Sequence, residues 1–157
     1  MSFAEAARVC LDRHHASPSS FLVTDNESHE PAIAEWDQSD DRLAGAWANK
    51  DEATEFAAYA LSLAAIEATR GLVAVRRAET RTGVDYYLDQ PGGRPDDLER
   101  AFRLEVSGTD DGNEAAIQRR LLEKQNQARK GISNLPAIAS VAGFSALRII
   151  SVDVVGT

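Results

Sequence analysis

Gly83-Val84-Asp85-Tyr86-Tyr87-Leu88 and Phe102-Arg103-Leu104-Glu105-Val106-Ser107-Gly108 decide how this chain folds. Each segment has strand composition, and each carries one carboxylate near its middle. In the second, Phe102, Leu104 and Val106 alternate with Arg103, Glu105 and Ser107, the period-two pattern of a strand with two different faces. In the first, Val84, Tyr86 and Leu88 oppose Asp85 and Tyr87. Paired as neighbours, the strands would project Asp85 and Glu105 from one face, close enough to share a cation. Asp is a poor strand former and a buried charge is costly, so carboxylates in apolar strands call for a chemical reason.

Outward from this pair, Leu72 to Thr80 reads as a strand, and Arg81-Thr82-Gly83 as the tight turn that leads back into the Asp85 segment. Asp89 to Pro95 is a Pro/Gly loop with the freedom to close on a substrate. Upstream, Asp51 to Arg70 is the clearest helix. Asn49 or Asp51 can cap it, Glu52 and Glu55 suit its positive end, and Gly71 can take the left-handed position after it. Its apolar stripe runs through Phe56, Tyr59, Ala60, Leu63 and Ile66. Glu67 continues that line, either facing the core with a partner or reaching water from the stripe's edge.

Downstream, Glu114 to Lys130 is a second helix ended by Gly131, with Ile117, Leu121 and Ala128 on its buried face. Arg120, Lys124 and Gln127 form an adjacent stripe. Ala146 to Val155, rich in Leu, Ile and Val, reads as an interior strand covered on both faces. The order helix, three strands, helix, strand predicts an α/β fold: a mixed sheet flanked by helices, built from residues 51–157.

Residues 1–50 form an N-terminal extension packed on that core, giving one domain overall. Phe3 to His15 has helical spacing, Ser17 to Asp25 and Pro31 to Asp37 are extended pieces, and Trp36 and Trp47 are anchors to the core. Cys10, His14, His15 and His29 do not make up a zinc ligand set, so the expectation is surface histidines and a packed cysteine.

The net charge of −8 is uneven: through Glu55 there are four basic residues against twelve acidic ones, and the remainder is neutral. That balance argues against a nonspecific nucleic-acid binder, which needs cations to neutralise phosphates, but leaves room for a nucleic-acid enzyme. A lone cysteine fits a reducing compartment. The apolar runs are too short for a membrane span and the start lacks signal-peptide character, so a cytoplasmic protein is expected. No Gly-rich loop followed by Lys-Ser/Thr points to a nucleotide.

The element order, with Asp85 in the second strand and Glu105 in the third, resembles the αβββαβ core of the PD-(D/E)XK, or restriction-endonuclease-like, superfamily, and more narrowly a small bacterial family of uncharacterised nuclease-like proteins. The resemblance covers roughly Asp51 to Val155. It implies a metal-dependent phosphodiesterase or nuclease, acting on DNA rather than RNA, possible as a component of phage defence with a partner protein or as a homodimer. It further implies Mg²⁺ (or Mn²⁺) held by Asp85, Glu105 and the main-chain carbonyl of Val106, with Glu67 as the helix glutamate. Val84 stands at the motif's proline. Ser107 stands where the family has its lysine, and Lys124 on the following helix is the replacement, with Arg120 and Gln127 beside it as substrate contacts. The rival readings are a catalytically inactive member of the fold that binds a partner protein, and structural ion pairs of Asp85 and Glu105 with Arg76, Arg77 or Arg103.

Overall fold

The computed structural model describes residues 2–79, 85–131 and 133–155. Among these residues, four helices and seven strands follow one another: α1 (Phe3–Asp12), β1 (Ser19–Asp25), β2 (Ser28–Ala34), α2 (Asp41–Ala46), α3 (Lys50–Arg70), β3 (Val73–Arg77), β4 (Tyr86–Asp89), β5 (Phe102–Thr109), α4 (Glu114–Arg129), β6 (Ala137–Gly143) and β7 (Arg148–Val154). The strands form one mixed sheet in the order β2-β1-β7-β6-β5-β4-β3. β3, β4 and β5 are an antiparallel meander, and α4 carries the chain over to β6, which pairs parallel to β5. Val84 and the Arg81-Thr82-Gly83 turn lie outside the described residues.

Two local signals act as the sequence implies. Asn49 caps α3 by accepting from the Glu52 amide, and Gly71 ends it at φ +68°. Asn113 caps α4 through the Ala116 amide. Register then places the helices on opposite faces of the sheet. On β5, Glu105 and Ser107 meet side chains of α4, and Arg103 reaches its Ala128 carbonyl. Val106 belongs instead to the core that α3 builds, and a Cβ at Gly108 would lie 2.7 Å from Ala58 of α3.

The strand after α4 differs from the expectation. β6, Ala-Ile-Ala-Ser-Val-Ala-Gly, is buried at every position and is the parallel partner of β5, while Arg148–Val154 follows it as the antiparallel β7. Its small residues have weak strand preference, but they let α3 and α4 approach the sheet closely from both sides. Ser140 of β6 bonds both Ser62 of α3 and Ser151 of β7, which satisfies three buried hydroxyls.

The N-terminal extension joins the sheet itself. β1 pairs parallel to β7 and antiparallel to β2, so the interior of the sheet is continuous from the first strand onward. α1 packs on α3, and its capping box joins Ser2 and Glu5. Trp47 is buried against Phe56, and Trp36 donates to Asp12. Among the described residues, no helix is long and apolar enough to cross a membrane.

Candidate metal and phosphate site

Asp85 sits just before β4, where the ladder with β5 ends. Its amide donates to the Leu104 carbonyl, and its own Oδ2 accepts from the Val106 amide at 2.7 Å, so the side chain continues the ladder. Its Oδ1 accepts from the Tyr59 hydroxyl at 3.1 Å, and the same hydroxyl is 3.2 Å from Glu55 Oε1. Both carboxylate oxygens are therefore fixed, one by a strand and one by α3.

Glu105 is 1% exposed. From α4, Lys124 Nζ lies 3.4 Å from its Oε2 and Gln127 Nε2 donates to its Oε1 at 3.1 Å. Lys124 also meets Gln127 Oε1, so the two helix residues act as one unit. Burial, then the Asp85 charge, raises the Glu105 pKa from 4.5 to about 8, against the opposing pull of Lys124. A single lysine does not compensate a carboxylate this deep with a second carboxylate beside it.

Neighbours of the two carboxylates, Glu55, Val106 and Lys124, line a cleft of about 510 Å³ together with Ser107 and Arg120, while Asp85 and Glu105 lie behind its wall. Arg120 reaches toward Ser107 Oγ at 3.4 Å. At the other end of the cleft, Asp110 is ringed by Arg13 at 3.0 Å, Lys50 at 3.2 Å and His14 at 3.2 Å. Burial would raise the Asp110 pKa, but Lys50, His14 and Arg13 outweigh it and hold the carboxyl below its ordinary range. This cluster ties α1, α3 and the end of β5 together.

Asp85, Glu105, Val106, Ser107, Arg120, Lys124 and Gln127 thus come together as expected from the sequence. Glu67 does not. It is exposed in the last turn of α3, eight residues beyond Tyr59, or about 12 Å along the helix axis. The helix glutamate beside Asp85 is Glu55. The stripe of large apolar residues misdirects the reading, because α3 buries mostly small ones (Ala53, Thr54, Ala57, Ala58, Ser62 and Ala65). A signal was present in the sequence: Glu55 and Tyr59, four apart, put a carboxylate and a hydroxyl on one face.

Three further expectations change. The Asp89–Pro95 loop follows the end of β4 remote from Asp85, so it does not cover the cluster. Arg103 turns its guanidinium to the Ala128 and Leu135 carbonyls, Arg76 meets Glu79 and the Pro95 carbonyl, and Arg77 meets Tyr86. Among the described residues, none of these arginines ion-pairs with Asp85 or Glu105. Cys10 is packed, with burial foremost in raising its thiol pKa to about 11. The histidines, however, are bound rather than merely solvated: His15 to the Phe144 carbonyl, His29 to Thr24, and His14 beside Asp110.

No three His, Cys, Asp or Glu side chains among the described residues converge as a metal-ligand set. Asp85 and Glu105 offer two carboxylates, the number Mg²⁺ commonly takes while keeping waters in its remaining positions. Each carboxylate oxygen retains a lone pair beyond the hydrogen bond it accepts, so the donor chemistry fits a hard divalent cation. Set against models of known protein families, curated proteins and solved structures, the chain matches none.

Proposed function

We propose that this chain is a metal-dependent phosphodiesterase of the nuclease type, with DNA as its substrate. The observation that carries the reading is Glu105, buried beside Asp85 with Lys124 and Gln127 on it, behind the Lys124 side chain that lines an open cleft. The order α3-β3-β4-β5-α4-β6, with Asp85 just before its second strand and Glu105 within its third, supports a restriction-endonuclease-like core.

Asp85 and Glu105 would hold Mg²⁺ or Mn²⁺. When bound, the metal activates water and offsets charge developing on the phosphoryl group and the leaving oxygen. The chain's own residues prepare the rest. Tyr59 and the Val106 amide fix the rotation of the Asp85 carboxylate, and Gln127 fixes that of Glu105. Lys124 supplies a point charge to a phosphate oxygen. It stands in for the lysine that the family carries at the Ser107 position, and Arg120, one turn of α4 away, meets a neighbouring phosphate.

A second reading, an inactive protein-interaction module of the same fold, draws on Ser107 and on the acidic charge gathered before Phe56. Titration calorimetry with Mn²⁺ separates the two. The nuclease reading expects binding in the wild type that Asp85→Ala and Glu105→Ala both abolish, and DNA cleavage that Lys124→Ala lowers by about 10²-fold or more, a scale typical of lost transition-state charge stabilisation. Absence of Mn²⁺ binding in the wild type would remove the enzyme and leave the interaction module.

A further inference from the structure

Arg77 ends β3, directly across from Tyr86 in the β3–β4 ladder. Its guanidinium carbon lies 4.9 Å from the ring centroids of both Tyr59 and Tyr86, which stand 5.5 Å apart at 76°. Nη1 donates to the Tyr86 hydroxyl at 3.0 Å. The two tyrosines are themselves buried, and Phe3 of α1 packs on both. The cation therefore rests in the corner of two immobile rings, one of which bonds Asp85.

Among the described residues no carboxylate ion-pairs with it, although the Asp85 charge acts on it at longer range. Arg13, Arg70 and Arg148 each pair with carboxylates, and Arg103 is spent on carbonyls. Arg77 is an exposed residue, and among the described residues it has no ion-pair partner. A guanidinium carries five N–H donors in a planar fork. Beyond the one that Tyr86 takes, donors remain for solvent or a ligand. Held by cation–π contacts and weakly hydrated, such a group loses little rotamer freedom on binding a phosphate. Arg120 on α4 is in a similar state, bonded among the described residues only to the neutral Ser107 hydroxyl. Arg77 and Arg120 flank the carboxylates from opposite sides: Arg77 through Tyr59 and β3, Arg120 through α4.

We propose that Arg77 is a second phosphate contact of this site, receiving the DNA backbone on the β3 side of the carboxylates while Lys124 and Arg120 hold it on the α4 side. The inference rests on the nuclease reading and gives it a direction: the strand passes the Asp85 end of β4 and β5, from the α4 face of the sheet to the α3 face. The shared chemistry is the phosphodiester backbone, so RNA oligonucleotides form a parallel arm of the test.

Counterion release supplies the readout. The affinity of the full-length protein for a cleavage-resistant phosphorothioate oligonucleotide would be measured in Mg²⁺ between about 50 and 200 mM salt, the range over which phosphate contacts declare themselves. Each contact contributes about 0.9 to the slope of log K against log salt on duplex, and about 0.7 on single strands. Arg77→Gln keeps a planar donor for Tyr86 but removes the charge; it should reduce the slope by one contact, with the melting temperature held. Arg77→Lys keeps the charge and should keep most of the slope. A slope unchanged in Arg77→Gln while the wild type binds overturns the inference and spares the nuclease. Equal slope losses in both variants, with lowered melting temperatures, would reduce Arg77 to a support for the tyrosines. A wild type that binds Mn²⁺ but no nucleic acid overturns both readings.

Discussion

Glu105→Gln is the substitution whose consequence can be worked furthest. In the folded chain, burial and the Asp85 charge put the Glu105 pKa near 8, against an ordinary 4.5. Between those values the folded state binds a proton that the unfolded state has released, so stability must fall as pH rises through this window. Below about pH 4.5 both states are protonated and nothing is lost; above about pH 8 the loss is complete. At about 1.4 kcal/mol for each pH unit of the window, the loss is between about 3 and 5 kcal/mol, a large part of the 5–15 kcal/mol that holds a typical domain. For a chain of this length it lowers the melting temperature by at least about 6 °C.

Glutamine has nearly the same shape and no charge to lose, so its melting curve should be flatter. Thermal melts from pH 5 to 9 in EDTA, wild type minus Glu105→Gln, separate Glu105 and the Asp85 beside it from the titrating groups elsewhere. The difference should favour the wild type least at pH 9. Added Mg²⁺ or Mn²⁺ should then restore the wild type and not the variant, by about 2.7 kcal/mol when the metal is at a hundred times its dissociation constant. A difference curve flat across pH 5 to 8 would refute the reasoning. Glu105 would then ionise normally against Lys124, and the pair would be a structural salt bridge.

Gly108→Ala should cost about 1–3 kcal/mol, because the new methyl would lie 2.7 Å from Ala58 and 3.0 Å from the Thr54 carbonyl; chemical denaturation checks it. Mn²⁺ affinity should fall in the same variant, since the helix pushed away carries Glu55 and Tyr59. Asp110→Asn should lower the melting temperature by several degrees at pH 7, a loss of about 2 kcal/mol for a nearly buried carboxylate held by Arg13 and Lys50 with His14 beside it. The Asp110 pKa is depressed, so its stabilisation is present above about pH 4 and lost as pH falls further. The gap between variant and wild type should therefore close in acid, and a gap that persists at pH 2 would show that charge was not the cause.

The legible parts of this protein are those where one local rule decides. Asn49 and Gly71 bracket α3 because capping and left-handed geometry are read from single residues. The alternation in β5 separates its two faces, and with them the sides that α3 and α4 occupy. Asp85 and Glu105 were found because a carboxylate in a strand is an anomaly whatever surrounds it. β6 was invisible for the opposite reason: alanine, serine and glycine carry little strand signal, and their fitness for that place comes from two helices that the local sequence does not reveal.

Glu55 and Glu67 show the same limit within a single helix. A stripe of large apolar residues is the usual guide to a buried face, and it led to Glu67. α3, however, packs between the sheet on one side and α1 on the other, and close approach to the sheet requires alanine and serine. Phe56 and Tyr59 join Phe3 of α1, Trp47 and Tyr86 of β4 in an aromatic cluster at the cleft end of the helix. Through that cluster the N-terminal extension reaches the carboxylate pair. Phe3 packs on Tyr59, Tyr59 fixes Asp85, and Asp85 raises Glu105. The first fifty residues, which carry no catalytic motif, therefore help to set the geometry of the carboxylate pair. Phe3→Ala should weaken Mn²⁺ binding through Tyr59 even though Phe3 touches neither carboxylate, and unaltered binding in that variant would show that the strands alone hold Asp85 in place.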